Sequence, residues 1–144
     1  MIALLVTGHG NFATGICSAL NLIAGENEHI LAVDFEAKHN THELEENLKA
    51  ALDTLKAVKS IVVFSDIAGG SPFKTASELK YKYLDKDIEI MAGTNLPMLI
   101  EAFMLMNVYD DAADMAKALV ETGKSQVLRL ELKEHKDDVA EDGI

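Results

Sequence analysis

Three short runs hold the residue types that could do chemistry. They are Thr7-Gly8-His9-Gly10, the single Asp66, and Gly69-Gly70-Ser71-Pro72. Glycines on both sides of His9 leave its imidazole unscreened and let the backbone turn sharply. A free imidazole titrates at about 6.5, so at cell pH it is a usable nucleophile once one ring nitrogen is fixed as the donor. Asp66 could fix it. A carboxylate that accepts from one ring N–H leaves the other nitrogen free to attack. The paired glycines before a helix start expose backbone N–H groups to an anion, and Ser71, read as the N-cap, adds a hydroxyl. Together these residues describe a nucleophilic histidine poised to take an anionic group such as a phosphoryl.

Each run also has a plainer reading. Gly-His-Gly fits a histidine that merely caps the following helix, and Asp66 fits a turn or a helix start. Gly69-Gly70-Ser71-Pro72 fits a well-capped helix with Pro72 at the first helical position. The last two readings are compatible, because the cap geometry that starts a helix also cradles an anion. The run is not a nucleotide P-loop, whose glycine-lysine pattern is absent. His39 and His42, with Glu43 and Glu46, invite a metal reading, but no cysteine joins them and glutamate-rich helix starts are usually solvated. We therefore expect no metal and no cofactor. His29 and His135 read as surface positions, Cys17 as a packed residue, and Met98, Met104 and Met106 as core filling.

These runs need a scaffold that gathers them, and the alternation of short β-branched runs with longer helical stretches supplies one. Strands are expected at 2–6, 29–35, 60–65 and 88–92. Helices are expected at 14–23 (ended near Gly25), 41–57, 73–83, 96–106 and 112–122, the last closed by Gly123. In the second helix Leu44, Leu48, Ala51, Leu52 and Leu55 form one stripe, with Thr41 and Glu45 near its start. Val127, Leu128, Leu130 and Leu132 alternate with polar residues, so 126–132 reads as a fifth, half-exposed strand. The expected fold is an α/β, doubly wound, mainly parallel open sheet flanked by helices. Ligands collect outside the carboxyl ends of strands in such sheets. His9 follows strand one, Asp66 strand three and Gly93-Thr94-Asn95 strand four, so the unusual residues converge on one edge.

Composition narrows the function classes. The 144 residues suit one domain, expected over 1–132, with a charged, frayed tail over 133–144. A net charge of −11 and the lack of a basic cluster exclude nucleic acid and disfavour an anionic membrane surface. No apolar run nears the roughly 20 residues of a membrane span. Met1-Ile2-Ala3-Leu4-Leu5-Val6 has no basic region before it, which argues against a signal peptide. One cysteine fits a reducing compartment, so a cytoplasmic location is expected.

The sequence resembles the IIA domain of the mannose-type family of the bacterial phosphoenolpyruvate-dependent sugar phosphotransferase system. The resemblance runs from residue 1 to about 132 and rests on five runs. These are Gly8-His9-Gly10, Val33-Asp34-Phe35, Asp66-Ile67-Ala68-Gly69-Gly70-Ser71-Pro72-Phe73, Gly93-Thr94-Asn95-Leu96-Pro97-Met98-Leu99 and Val120-Glu121-Thr122-Gly123. It implies that His9 accepts phosphate from the carrier HPr and passes it to a IIB component, and that Asp66 orients the imidazole. Ser71, Gly70, Gly69 and Thr7 would then hold the phosphoryl group. It further implies a homodimer in which the last strand, here 126–132, crosses to the partner's sheet. Because the sequence ends soon after that strand, no fused IIB domain is expected. Transfer between two histidines is near-balanced in energy, so amides and a hydroxyl suit the site better than lysine or a metal. The absence of Lys and Arg around the expected site agrees. The competing readings are the phosphoryl-donor subunit of a dihydroxyacetone kinase, and a non-catalytic flavodoxin-like regulatory module. The sugar is not legible, because in this design the membrane components select it.

Overall fold

Ile2 to Val6 is apolar without alternation, which is what a strand covered on both faces requires. The computed structural model, which describes residues 1–133, uses this run as the centre of the molecule. Strand β1 (Ile2–His9) pairs in parallel with β2 (Ile30–Phe35) on one side and β3 (Ser60–Ser65) on the other. β3 in turn pairs in parallel with β4 (Asp87–Met91). The order β2-β1-β3-β4 puts a change of winding direction between β1 and β3. Ligands bind at such a switch point because the following loops diverge there and leave a crevice.

Alternate residues of β1 feed two cores. Ile2, Leu4 and Val6 are buried with residues of α1 (Phe12–Ala24), α4 (Leu96–Leu105) and α5 (Ala112–Ser125). Ala3 and Leu5 are buried with α2 (Thr41–Thr54) and α3 (Ser71–Lys80). The α2 stripe of Leu44, Leu48, Ala51, Leu52 and Leu55 is buried as its spacing predicts.

The structure departs from the sequence reading at several ends. α2 starts at Thr41, as its composition suggests, and the start is closed by a capping box formed by Asn40 and Glu43. It stops at Thr54, where the Lys86 ammonium donates to the carbonyls of Leu55, Lys56 and Val58. α3 begins two residues before Phe73, so Gly70 is its N-cap and Ser71 its first residue. Gly123 does not close α5 but lies buried inside it, where a Cβ would stand 2.5 Å from Met98 Cε. Met98, Ala102 and Met106 share the buried i, i+4 stripe, whereas Met104 falls off it and is 70% exposed.

Within the single chain the expected fifth strand is not paired. Residues 127–133 have no regular structure, and Val127, Leu128, Leu130 and Leu132 are exposed. Alternation alone makes no strand; a neighbouring backbone must complete the ladder. No strand among the described residues lies beside this segment. The rest of the expected tail, with His135, lies outside the described residues. No helix among the described residues is long and apolar enough to cross a membrane.

Candidate functional site

His9 ends β1, and Asp66 follows β3 on the adjacent strand, where Thr7 registers with Ser65. The pairing therefore sets Asp66 beside Gly8. One carboxylate oxygen, Oδ2, accepts both the His9 backbone N–H at 2.9 Å and the Nδ1 side of the ring at 2.8 Å. The other, Oδ1, accepts the Ile67 N–H at 2.9 Å. Burial pushes the Asp66 pKa up, but the hydrogen bonds from the His9 backbone, the His9 ring and Ile67 outweigh it, and the net shift is downward. An ionised Asp66 can only accept, so Nδ1 carries the hydrogen, and in the neutral ring Nε2 keeps its lone pair. The His9 side chain is 45% exposed and that of Asp66 14%, so the nucleophile faces solvent while its partner is shielded.

Two glycines make this approach possible. A Cβ on Gly8 would stand 2.6 Å from Phe12 Cδ2 and 3.0 Å from Asp66 Cγ. A Cβ on Gly70 would stand 2.6 Å from His9 Cε1 and 3.2 Å from Nε2. The free ring nitrogen thus lies against the N-cap of α3. No side chain caps that helix, and Pro72 has no N–H, so the amides of Ser71 and Phe73 lack intrahelical acceptors. Such an N-terminus attracts anions. Gly69, at φ +85°, makes the turn into it.

The remaining wall comes from β2. The Phe35 ring meets the His9 ring edge-on with centroids 6.0 Å apart, and the Phe35 carbonyl accepts the Gly10 N–H at 2.8 Å. Thr7, two residues before His9 on the same face of β1, is wholly buried, and its hydroxyl has no hydrogen-bond partner among the described residues. Asp66 is tied to the β4 exit by its carbonyl, which accepts the Gly93 N–H. Thr94 caps the end of β3 by donating its hydroxyl to the Ser65 carbonyl at 2.7 Å. All three strand ends meet, as their positions in sequence predict. Lys74, exposed on α3 just past its first turn, puts a cation within a turn of Ser71, against the sequence expectation.

Comparison with known proteins decides the family. The sequence model for the EIIA-man family, described as the PTS system fructose IIA component, matches residues 3–120. The chain belongs to this family. Among curated relatives of this EIIA-man chain is the PTS system mannose-specific EIIAB component of Escherichia coli K12, 32% identical over 133 residues. That match covers 92% of this chain but 40% of the relative, so the chain spans about two fifths of such EIIAB components. The PTS system fructose-specific EIIA component of Bacillus subtilis is 30% identical, with 73% of this chain and 70% of that one covered. The solved structure of a phosphotransferase system EIIA component from Streptococcus agalactiae superposes with a TM-score of 0.83 at 31% identity, covering 90% of this chain and 97% of that one. A mannose/sorbose-specific IIA subunit from Enterococcus faecalis gives 0.81 at 26%, covering 93% and 98%. The matches favour a IIA component over the kinase subunit and the regulatory module.

Within this EIIA-man fold the other candidates fall away from the site. His39 Nδ1 accepts the Glu36 backbone N–H at 3.0 Å and serves the loop before α2. No group of three potential metal ligands occurs among the described residues. Cys17 is buried on α1, and burial, then the Asp34 charge, pushes its thiol up to about 11. Sequence reasoning gave no role to Asp34, Phe35 or Phe12. The only signal for the first two was their place in the Val33-Asp34-Phe35 run.

Proposed function

We propose that this chain is a phosphocarrier in which His9 Nε2 takes a phosphoryl group from phospho-HPr and passes it to a IIB component. The observation that carries this is the Asp66 oxygen on His9 Nδ1, which leaves Nε2 as the free nitrogen of that ring, beside an uncapped helix N-terminus. The bond from phosphorus to the donor nitrogen breaks as the bond to Nε2 forms. The Nδ1 proton stays in place, and the positive charge gained by the ring is met by Asp66. The amides of Ser71 and Phe73 and the Ser71 hydroxyl face the phosphoryl oxygens, with Gly69 and Gly70 allowing the close approach. Thr7, being wholly buried, supports the floor of the site in this reading.

The same reading assigns 1–132 to one IIA domain in the cytoplasm, and 126–132 to a strand that completes the sheet of a second copy. An unpaired, alternating segment is suited to that role, and pairing would cover an exposed sheet edge. Incubation with phosphoenolpyruvate, enzyme I and HPr should give an acid-labile, alkali-stable phosphate on His9. Label that persists in His9→Ala would overturn the assignment.

A further inference from the structure

Asp34 has no part in the scheme above, yet its carboxylate is fully engaged at the edge of the site. Oδ1 accepts the Thr14 backbone N–H at 2.9 Å, and Oδ2 accepts the Thr14 hydroxyl at 2.6 Å. Thr14 is the third residue of α1, whose N–H is ordinarily taken by the helix's own N-cap side chain. Asn11, the N-cap of α1, makes no such bond. Asp34 therefore caps α1 from a different strand, twenty residues further along the chain.

What α1 holds makes this cap matter to His9. Phe12, its first residue, and Asp66 converge on Gly8, where a Cβ would meet both. Gly10, at φ +58°, turns the chain between His9 and α1 and is itself bonded to Phe35. The segment 10–14 is thus fastened to the end of β2 twice, Gly10 to Phe35 and Thr14 to Asp34. Loosening the second tie would free Phe12, which lies together with Asp66 against Gly8.

We propose that Asp34 is a positioning residue for phosphoryl transfer: by capping α1 across the sheet it holds Phe12 and the Gly10 turn so that Asp66 grips Nδ1 and Nε2 faces α3. The proposal rests on reading His9 as the phosphoryl acceptor.

The test is single-turnover phosphorylation by phospho-HPr over a range of donor concentrations, together with the ¹⁵N shifts of the His9 ring in the unphosphorylated protein. Wild type, D34A, D34N and T14A are compared. A small displacement at a reacting centre costs on the order of 10- to 100-fold, and D34A should lose that much in saturating rate. Its half-saturating concentration should move less than about threefold, since donor binding is not the step affected. The ring shifts of D34A should move from a fixed Nδ1–H form toward exchange between tautomers. D34N still offers an oxygen to the Thr14 N–H and should recover much of the rate; T14A, which loses only the hydroxyl bond, should fall between. D34N and T14A keep the test alive if D34A does not fold. Folded variants with wild-type rates and ring shifts overturn the proposal, as does a change confined to half-saturation, which would make Asp34 a donor contact. Wild-type protein that takes no phosphate on His9 overturns the carrier reading instead.

Discussion

One oxygen of Asp66 receives both the backbone N–H and the imidazole of His9, at 2.9 and 2.8 Å. Backbone and ring of the same residue are tied to one atom, so the ring has little freedom to turn away. The contact fixes position and tautomer together.

Replacing Asp66 with Asn should leave the fold intact and slow phosphoryl uptake. The amide can still accept from the His9 backbone, but it does not hold the Nδ1–H tautomer by charge. Loss of such an orienting carboxylate costs on the order of 10²-fold or more. Stopped-flow transfer from phospho-HPr measures this, and unchanged kinetics would remove Asp66 from the mechanism.

The depressed Asp66 pKa also makes a prediction about stability. A carboxyl whose folded pKa lies below its unfolded value stabilises the fold above the unfolded value, and that contribution is lost as pH falls through the folded one. Wild type should therefore lose stability with acid more steeply than Asp66→Asn in the window below about pH 4. Urea denaturation at several pH values gives both slopes, and parallel slopes would contradict the assigned shift.

The three buried or site glycines should respond differently to Ala. Gly70 has φ −78°, which any residue adopts, so its Cβ strains only the His9 ring. Gly70→Ala should keep near-native stability and lose roughly tenfold or more in transfer rate. Gly8→Ala presses on Phe12 and Asp66 and should cost about 1–3 kcal/mol as well as activity. Gly123→Ala meets the flexible end of Met98, and the gain of about 1 kcal/mol in helix propensity offsets the crowding. Its thermal midpoint should stay close to wild type; a large drop would show that Met98 has nowhere to go.

Cys17 should resist thiol reagents in the folded protein. The thiolate is the reactive form, and a thiol held at about 11 is almost wholly protonated near pH 8. Labelling with a chromogenic disulfide should be slow in buffer and fast in denaturant. Equal rates would place Cys17 at the surface.

Much of the fold was legible because parallel strands and amphipathic helices write themselves into local periodicity. β3 was read to the residue, and the stripe on α2 was read correctly. The ends were read less well, because they depend on partners distant in sequence: Lys86 on the carbonyls after α2, or Met98 against Gly123 inside α5. The strand expected at 126–132 illustrates the same limit, since alternation specifies a face but not a neighbour.

By itself, the sequence determined which residues could react and which edge of the sheet would carry them. A histidine between glycines, an aspartate after a buried strand and glycines before a helix are local facts. Only the tertiary structure decided that Asp66 takes Nδ1, that Nε2 rests on Gly70, and that Asp34 caps a helix it does not precede. Those contacts join residues 57, 61 and 20 positions apart. Their geometry depends on strand register and helix packing, which local periodicity does not encode.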